Sequence, residues 1–333
     1  MASLKIQFLT AVTCILSLAA SGFASGHQTV PPCPIRPSIA ADLDANGYAK
    51  VTSALRQEVA RDPHNAQATL WLARAYLDLG DYDQAVEFAE RAVNLSPDCT
   101  ESHFWLARSY ALKADKDRSF LLARKAKLEY QAAVNLDPGN LAARRDLMEF
   151  YIQAPWVLGG SRDKAWAQVE AIAARDSTEG DLARAIYWRD LNKPSLAAAE
   201  YWKVLQAKPR GAEPYFQVAD FYEWDGNPGA VETAVREASM IVPNDPRLDY
   251  YSAVARIMMQ RDLAKAEQQL KDYLARTPQR DDFPAHAKAH DWLGRIYEIL
   301  GKKQLAIDQY RVALRLSPDN RPAQDALKRL DTN

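Results

Sequence analysis

The sequence predicts an all-α protein assembled from tandem helical hairpins, and three observations carry that prediction. A seven-residue pattern recurs: Leu70-Trp71-Leu72-Ala73-Arg74-Ala75-Tyr76 aligns with Phe104-Trp105-Leu106-Ala107-Arg108-Ser109-Tyr110, and Asp291-Trp292-Leu293-Gly294-Arg295-Ile296-Tyr297 repeats it near the other end. Each copy is followed by a second helical stretch carrying alanines and closing on a proline turn, as in Ala85, Ala89, Ala92 and Pro97, or Ala306, Tyr310, Ala313 and Pro318. The closing prolines also keep their interval, with Pro63 and Pro97 34 residues apart and Pro209 and Pro243 spaced identically. Small side chains at fixed places let two helices approach closely, larger ones fill the gaps between successive pairs, and the proline stops the second helix.

These residues resemble the tetratricopeptide repeat, a 34-residue helix-turn-helix with small residues at its eighth and twentieth positions and proline at its exit. The resemblance implies a right-handed α-α superhelix of about six to seven hairpins, capped by helices at both ends. It also implies that the first helix of each hairpin lines a concave groove, with its second, fifth, ninth and twelfth positions facing bound peptide.

Taken in order, the chain opens on a segment unlike the rest. Lys5 supplies the positive charge, an apolar run extends from Ile6 to Ala20, and Gly22-Phe23-Ala24 places small residues where a signal peptidase cuts. Residues 1–24 therefore read as a signal peptide cleaved after Ala24, giving a periplasmic or secreted protein; the alternative is an uncleaved inner-membrane anchor through residues 4–24, since roughly 17–25 apolar residues span a bilayer. Ala11-Val12-Thr13 before Cys14 is a poor acylation box. A proline-rich segment, 25–38, leads to a capping helix or half-repeat, 39–63. The array follows as 66–99, 100–140, 141–179, 180–211, 212–245, 246–280 and 287–320, and a polar closing helix occupies 321–333. The second unit carries seven extra residues between Ala111 and Lys127. The third carries five in Ala154-Pro155-Trp156-Val157-Leu158-Gly159-Gly160, with Ser177 at its proline position.

A formal net charge of -1 and a pI near 6.5 argue against bulk electrostatic attraction to nucleic acid, so any charge-based recognition is local. Signal removal leaves Cys33 and Cys99, an even pair in a compartment that permits disulfides. A bridge between them would clip the proline-rich segment to the first repeat; two unpaired thiols are the alternative.

Carried onto this chain, the groove positions are Leu70, Arg74 and Leu77 in the first repeat and Glu101, Phe104 and Arg108 in the second. They continue as Arg145, Glu149 and Ile152 in the third, and Glu213, Phe216, Asp220 and Glu223 in the fifth. Arginines beside apolar residues suit an extended acidic or C-terminal peptide, because the guanidinium fork pairs bidentately with carboxylate. The competing reading is that Arg74 and Arg108 bridge acids on the next helix. The Lys/Asn/Arg carboxylate clamp of some relatives lacks its asparagines and lysine here. The positions run from basic to acidic along the array, which would orient a peptide by its charge. Trp156, Val157 and Leu158 form a second candidate contact surface, unless their loop folds back over its own hairpin.

Chemistry is scarce elsewhere. His286 and His290 stand four apart, as metal ligands can, but no third ligand is spaced to join them. The sequence holds no phosphate-cradling glycine loop, no Gly-x-Ser-x-Gly elbow and no His-Glu-x-x-His. The expectation is a non-catalytic protein- or peptide-binding scaffold or adaptor of the bacterial cell envelope, without cofactor or metal, whose partner is a protein and not a nucleic acid. The alternative is a small-ligand carrier or sensor using the same groove near Trp71, Phe104 and Trp156.

Overall fold

A computed structural model describes residues 48–277 and 283–331. The expected signal segment, the proline-rich segment, the start of the capping helix, Cys33 and residues 278–282, at the end of the sixth repeat and the start of the insertion before the seventh, lie outside the described residues. Within them the chain is helical throughout, with sixteen α-helices and a single turn of 3-10 helix. A leading helix, α1 (Tyr48–Arg61), precedes hairpin one, α2 (Ala66–Asp78) and α3 (Tyr82–Leu95). Hairpin two is α4 (Thr100–Asp117) and α5 (Phe120–Leu136), and hairpin three is α6 (Leu141–Gln153) and α7 (Arg162–Ala173). Hairpin four is α8 (Ser177–Asp190) and α9 (Pro194–Ala207), followed by hairpin five, α10 (Glu213–Asp225) and α11 (Pro228–Ser239). Hairpin six is α12 (Arg247–Met258) and α13 (Leu263–Arg276), hairpin seven is α14 (His286–Ile299) and α15 (Lys303–Leu316), and α16 (Arg321–Asp331) closes the array.

At least half of the helix starts carry a side-chain cap of one kind. Asn65, Asp81, Cys99, Ser119, Asn140, Ser161, Asp176 and Asn227 cap their helices, each accepting a hydrogen bond from the backbone N–H three residues on. Such a cap contributes about 1 kcal/mol by satisfying an otherwise orphaned donor. The turn inside every hairpin passes through left-handed backbone: Gly80, Arg118, Gly159, Asn192, Gly226, Gln260 and Gly301 all have positive φ. Four of these seven are glycine, which reaches that region without steric cost.

The core is a continuous seam between sequence neighbours. Ala73, Ala89, Ala107, Ala126, Ala197 and Ala266 are fully buried at helix contacts, and Tyr201, Tyr250, Tyr273 and Tyr310 fill the spaces between them. Gly180 and Gly294 mark close approaches, since a Cβ at Gly180 would stand 2.5 Å from Cβ of Ala173 and one at Gly294 2.6 Å from Cε1 of Tyr310. Besides packing on its own partner, the first helix of one hairpin touches that of the next, as α2 does α4, α6 does α8, α10 does α12 and α12 does α14. The inner faces of the first helices are thereby set side by side.

Hairpin four begins at Ser177, three residues ahead of the sequence-based boundary at 180. Ser177 is the first helical residue of α8, and the Asp176 carboxylate accepts from Glu179 N at 2.9 Å. The seven extra residues of hairpin two lengthen α4 and α5 to 18 and 17 residues, where the other hairpins use 12 to 14. Among the described residues no helix is long and apolar enough to cross a membrane.

Candidate functional site

The first helices from hairpin two to hairpin seven converge on one recess of about 640 Å³. Its walls bring together Phe104, Arg108, Arg145, Glu149, Glu213, Phe216 and Asp220 of the sequence-derived set. They add Asp146, Arg189, Arg247, Tyr251, Phe283 and Lys288, which the sequence reading did not single out. Arg247 and Lys288 occupy the second position of their repeats, as Glu213 does, so the offset that found Glu213 reaches them when applied to hairpins six and seven. Phe283 belongs to an insertion and follows no repeat register.

The recess is lined by a ladder of ion pairs between hairpins. Arg108 Nε stands 3.2 Å from Asp146, Arg145 Nη1 3.3 Å from Glu179, Arg247 Nη1 2.8 Å from Glu213, and Lys288 Nζ 3.0 Å from Asp220. Acid and base therefore alternate along the whole inner face, which corrects the expected gradient from basic to acidic. The competing reading holds for Arg108, whose acid is on the next hairpin. Arg74 pairs at 3.7 Å with Asp78 of its own helix. Guanidinium groups also stack on rings: Arg74 between Trp71 and Trp105, Arg108 against Phe104 and Trp105, and Arg247 between Phe216 at 3.9 Å and Phe283 at 4.7 Å. Stacking of this kind fixes the planar fork while leaving its edge to donate.

Three carboxylates at or beside the recess are displaced from their ordinary titration range, and burial raises Asp146 against the pull of Arg108 and Arg145. Burial raises Glu149 to about 7, reinforced by Asp146, against the pull of Arg189 and Arg145. Burial likewise raises Glu223, whose Oε1 accepts both Tyr250 Oη–H and Trp292 Nε1–H at 2.8 Å.

Not every expected position opens on the recess. Leu70 is 7% exposed and packs with Ala92, Cys99 and the partly buried Trp105, while Leu77, 4% exposed, is covered by Val51, Leu55 and Val59 of α1. Both leave the groove set, because a neighbouring element occupies the face a mid-array repeat would present. Arg74 likewise stacks in the Trp71/Trp105 layer. Glu101 is linked to Asn140 of the next hairpin at 3.5 Å, and burial, then Asp137, raises its carboxyl. The expected ligand trio does not assemble: Phe104 lines the recess, Trp71 is buried in the hairpin-one core, and Trp156 is exposed on an outer loop. His286 bonds to the Thr277 carbonyl at 2.9 Å and His290 to Gln309 at 2.8 Å, so each ring is already engaged.

In the inserted loop, Leu158 tucks inward while Trp156 and Val157 stay exposed. The turn is shaped by Gly160, where a Cβ would fall 1.8 Å from the Ala154 carbonyl oxygen. Cys99 is disulfide-bonded, and its Sγ also accepts from Ser102 N at 3.4 Å as the cap of α4. Cys33, the partner expected from the sequence, is outside the described residues.

Stacked helical pairs with a lined inner face define an all-α repeat solenoid. The chain is a tetratricopeptide-repeat protein: models described as "Tetratricopeptide repeat" match residues 43–115 and 260–321. Solved structures are similar in fold. The Cut9-Hcn1 tetramer of the APC/C matches at TM-score 0.53 and 15% identity, over 85% of this chain and 52% of that one. A monomeric IFIT1 mutant with m7Gppp-AAAA matches at TM-score 0.54 and 19% identity, over 80% of this chain and 62% of that one. A repeat protein of Parabacteroides merdae matches at TM-score 0.47 and 17% identity, over 80% and 99%. The comparison with curated proteins gave no match. Tetratricopeptide repeats generally mediate protein–protein contacts and are generally non-catalytic.

Proposed function

We propose that this chain is a non-catalytic scaffold of the cell envelope that holds an extended or helical segment of a partner protein in the recess between hairpins two and seven. The observation that carries the reading is the recess itself, in which aromatic rings and charged groups from six first helices face one space. Backbone and side-chain polar groups of a bound segment find donors and acceptors of both signs there, and the rings offer apolar contact without a deep closed pocket. A chain carrying both signs along its length is favoured over a uniformly acidic one, because each cation already has a carboxylate beside it.

Export rests on the apolar run Ile6–Ala20 and the Gly22-Phe23-Ala24 site. A mature N-terminus at Ser25, read by peptide sequencing of the protein recovered from cells, tests it; retention of residues 1–24 would leave the inner-membrane anchor.

Crosslinking in the exporting cell, followed by identification of what is held, tests the scaffold role. The expected result is a protein captured by the parent and lost on Arg108→Ala with Lys288→Ala, both of which leave helix-forming residues in place. Undiminished capture by a folded double variant overturns the recess as the site. A small metabolite that shifts the melting temperature, with no protein captured, would favour the carrier or sensor.

A further inference from the structure

Two insertions that interrupt the repeat meet on one outer edge, away from the recess. In a hairpin array every internal turn falls on the same edge, so the tip of hairpin two and the loop of hairpin three are neighbours there. The loop rests on the flank of α5, seven residues past Phe120: Lys127 Nζ donates to the Leu158 carbonyl at 3.2 Å. With 18 residues against 13 in α2, α4 projects about 7 Å farther, at about 1.5 Å of rise per residue.

This edge carries large apolar side chains on protruding positions. Phe120 and Leu121 at the start of α5 are 70% and 66% exposed, and Trp156 and Val157 in the loop are 84% and 62% exposed. Around them the chain is locally basic. Residues 113–127 contain Lys113, Lys116, Arg118, Arg124, Lys125 and Lys127 against Asp115 and Asp117, within a protein of formal net charge -1. Asp117 is held by Lys113 at 3.0 Å. Arg118, Arg124 and Arg162 are exposed and make no ion pair among the described residues, and Asp163 is the acid beside the loop.

We propose that this edge docks on an anionic lipid bilayer surface, with Phe120, Leu121, Trp156 and Val157 entering the interfacial layer and Arg118, Arg124 and Arg162 resting on the headgroups. Charge complementarity selects the occupant: local positive charge on a near-neutral chain is drawn to anionic lipid within a Debye length. Shape points the same way, since Trp, Phe and Leu on projecting tips with cations at their base suit the boundary between headgroup and acyl chain. The proposal does not depend on what the recess binds.

The test uses the whole chain with vesicles containing brominated phosphatidylglycerol, which quenches indoles that reach the acyl region. The fluorescence difference between the parent and Trp156→Phe reads this edge alone, so residues 1–47, common to all variants, do not contribute. Quenching of the Trp156 component is expected on these vesicles, with roughly tenfold weaker quenching on brominated phosphatidylcholine. It should be lost on Phe120→Ser with Leu121→Ser, and weakened on Arg124→Glu with Arg162→Glu. These side chains are exposed, and unchanged circular dichroism melts will show that the variants fold. No quenching of the Trp156 component, or quenching indifferent to the Phe120/Leu121 and arginine variants, overturns the proposal and leaves a protein surface as the occupant of this edge.

Discussion

The carboxylate of Glu223 in hairpin five accepts the indole N–H of Trp292 in hairpin seven at 2.8 Å, so a bond crosses the whole of hairpin six. Lys288 and Asp220 make a second crossing beside it at 3.0 Å. Solenoid hairpins normally contact only their immediate neighbours, so the C-terminal part of this array is held by more than nearest-neighbour packing. Replacing Trp292 by Phe keeps an aromatic but smaller side chain and removes the donor while Glu223 stays buried. A loss of about 1–3 kcal/mol is expected, measured by urea unfolding.

Glu149 confers a pH dependence on stability. Its folded carboxyl is raised by burial to about 7 from an ordinary value of 4.5, so between those values the folded chain holds a proton that the unfolded chain has released. Stability from this group is complete below 4.5 and is lost as pH rises through 7. Asp146 and Arg145 on its own helix and Arg189 and Asp190 on α8 act on the same carboxyl. Glu149→Gln should remove that component and exceed the parent at pH 8 by about 1 kcal/mol or more, a pKa unit being worth about 1.4 kcal/mol. A melting series over pH checks the sign.

Gly294 is a packing glycine. Alanine there gains about 1 kcal/mol of helix propensity, yet its methyl would meet the ring of Tyr310, whose hydroxyl is tied to Glu298 at 2.8 Å. The expected outcome of Gly294→Ala is a net loss of about 1–2 kcal/mol, read by thermal melting.

Gln260 predicts the opposite sign. It holds the left-handed turn of hairpin six at φ 50°, where its counterparts Gly80, Gly226 and Gly301 are unstrained. Gln260→Gly should stabilise the chain by about 0.5–1 kcal/mol, since relief of strain outweighs the added freedom of the unfolded backbone.

The Cys33–Cys99 bridge is a proposal supported by the disulfide-bonded state of Cys99. Non-reducing peptide mapping should return one linked pair, and Cys33→Ser should lower stability by about 2–4 kcal/mol. A pairing of Cys99 with Cys14 would show that the signal segment is retained.

Most of the fold was legible because the repeat writes its constraints into single residues. Alanines at 73, 89 and 107 and the exit prolines fix where helices touch and stop, and both signals are local. The start of hairpin four was missed because Ser177 was read as an exit position, although Asp176 and Glu179 on either side form a capping pair. The recess was partly legible. Offsets taken from the repeat found Phe104, Arg108, Arg145, Glu149, Glu213, Phe216 and Asp220. They failed at Leu77, which the leading helix covers as a property of the array's end, and at Leu70, which packs with Ala92, Cys99 and Trp105. The sequence allowed pairing of Arg108 with a later acid, but the offsets do not name the partners of Arg145, Arg247 and Lys288, since residues 34 to 68 apart share no local signal.

The crossings over hairpin six also bear on how such a protein changes over generations. Where each unit leans only on the next, a copy can be gained or dropped and the remainder still closes up. Between hairpins five and seven that freedom ends: removing or doubling the middle unit would strand Asp220 and Glu223 opposite the wrong residues. A unit added ahead of hairpin five leaves both crossings intact, whereas one added or lost between hairpins five and seven breaks them.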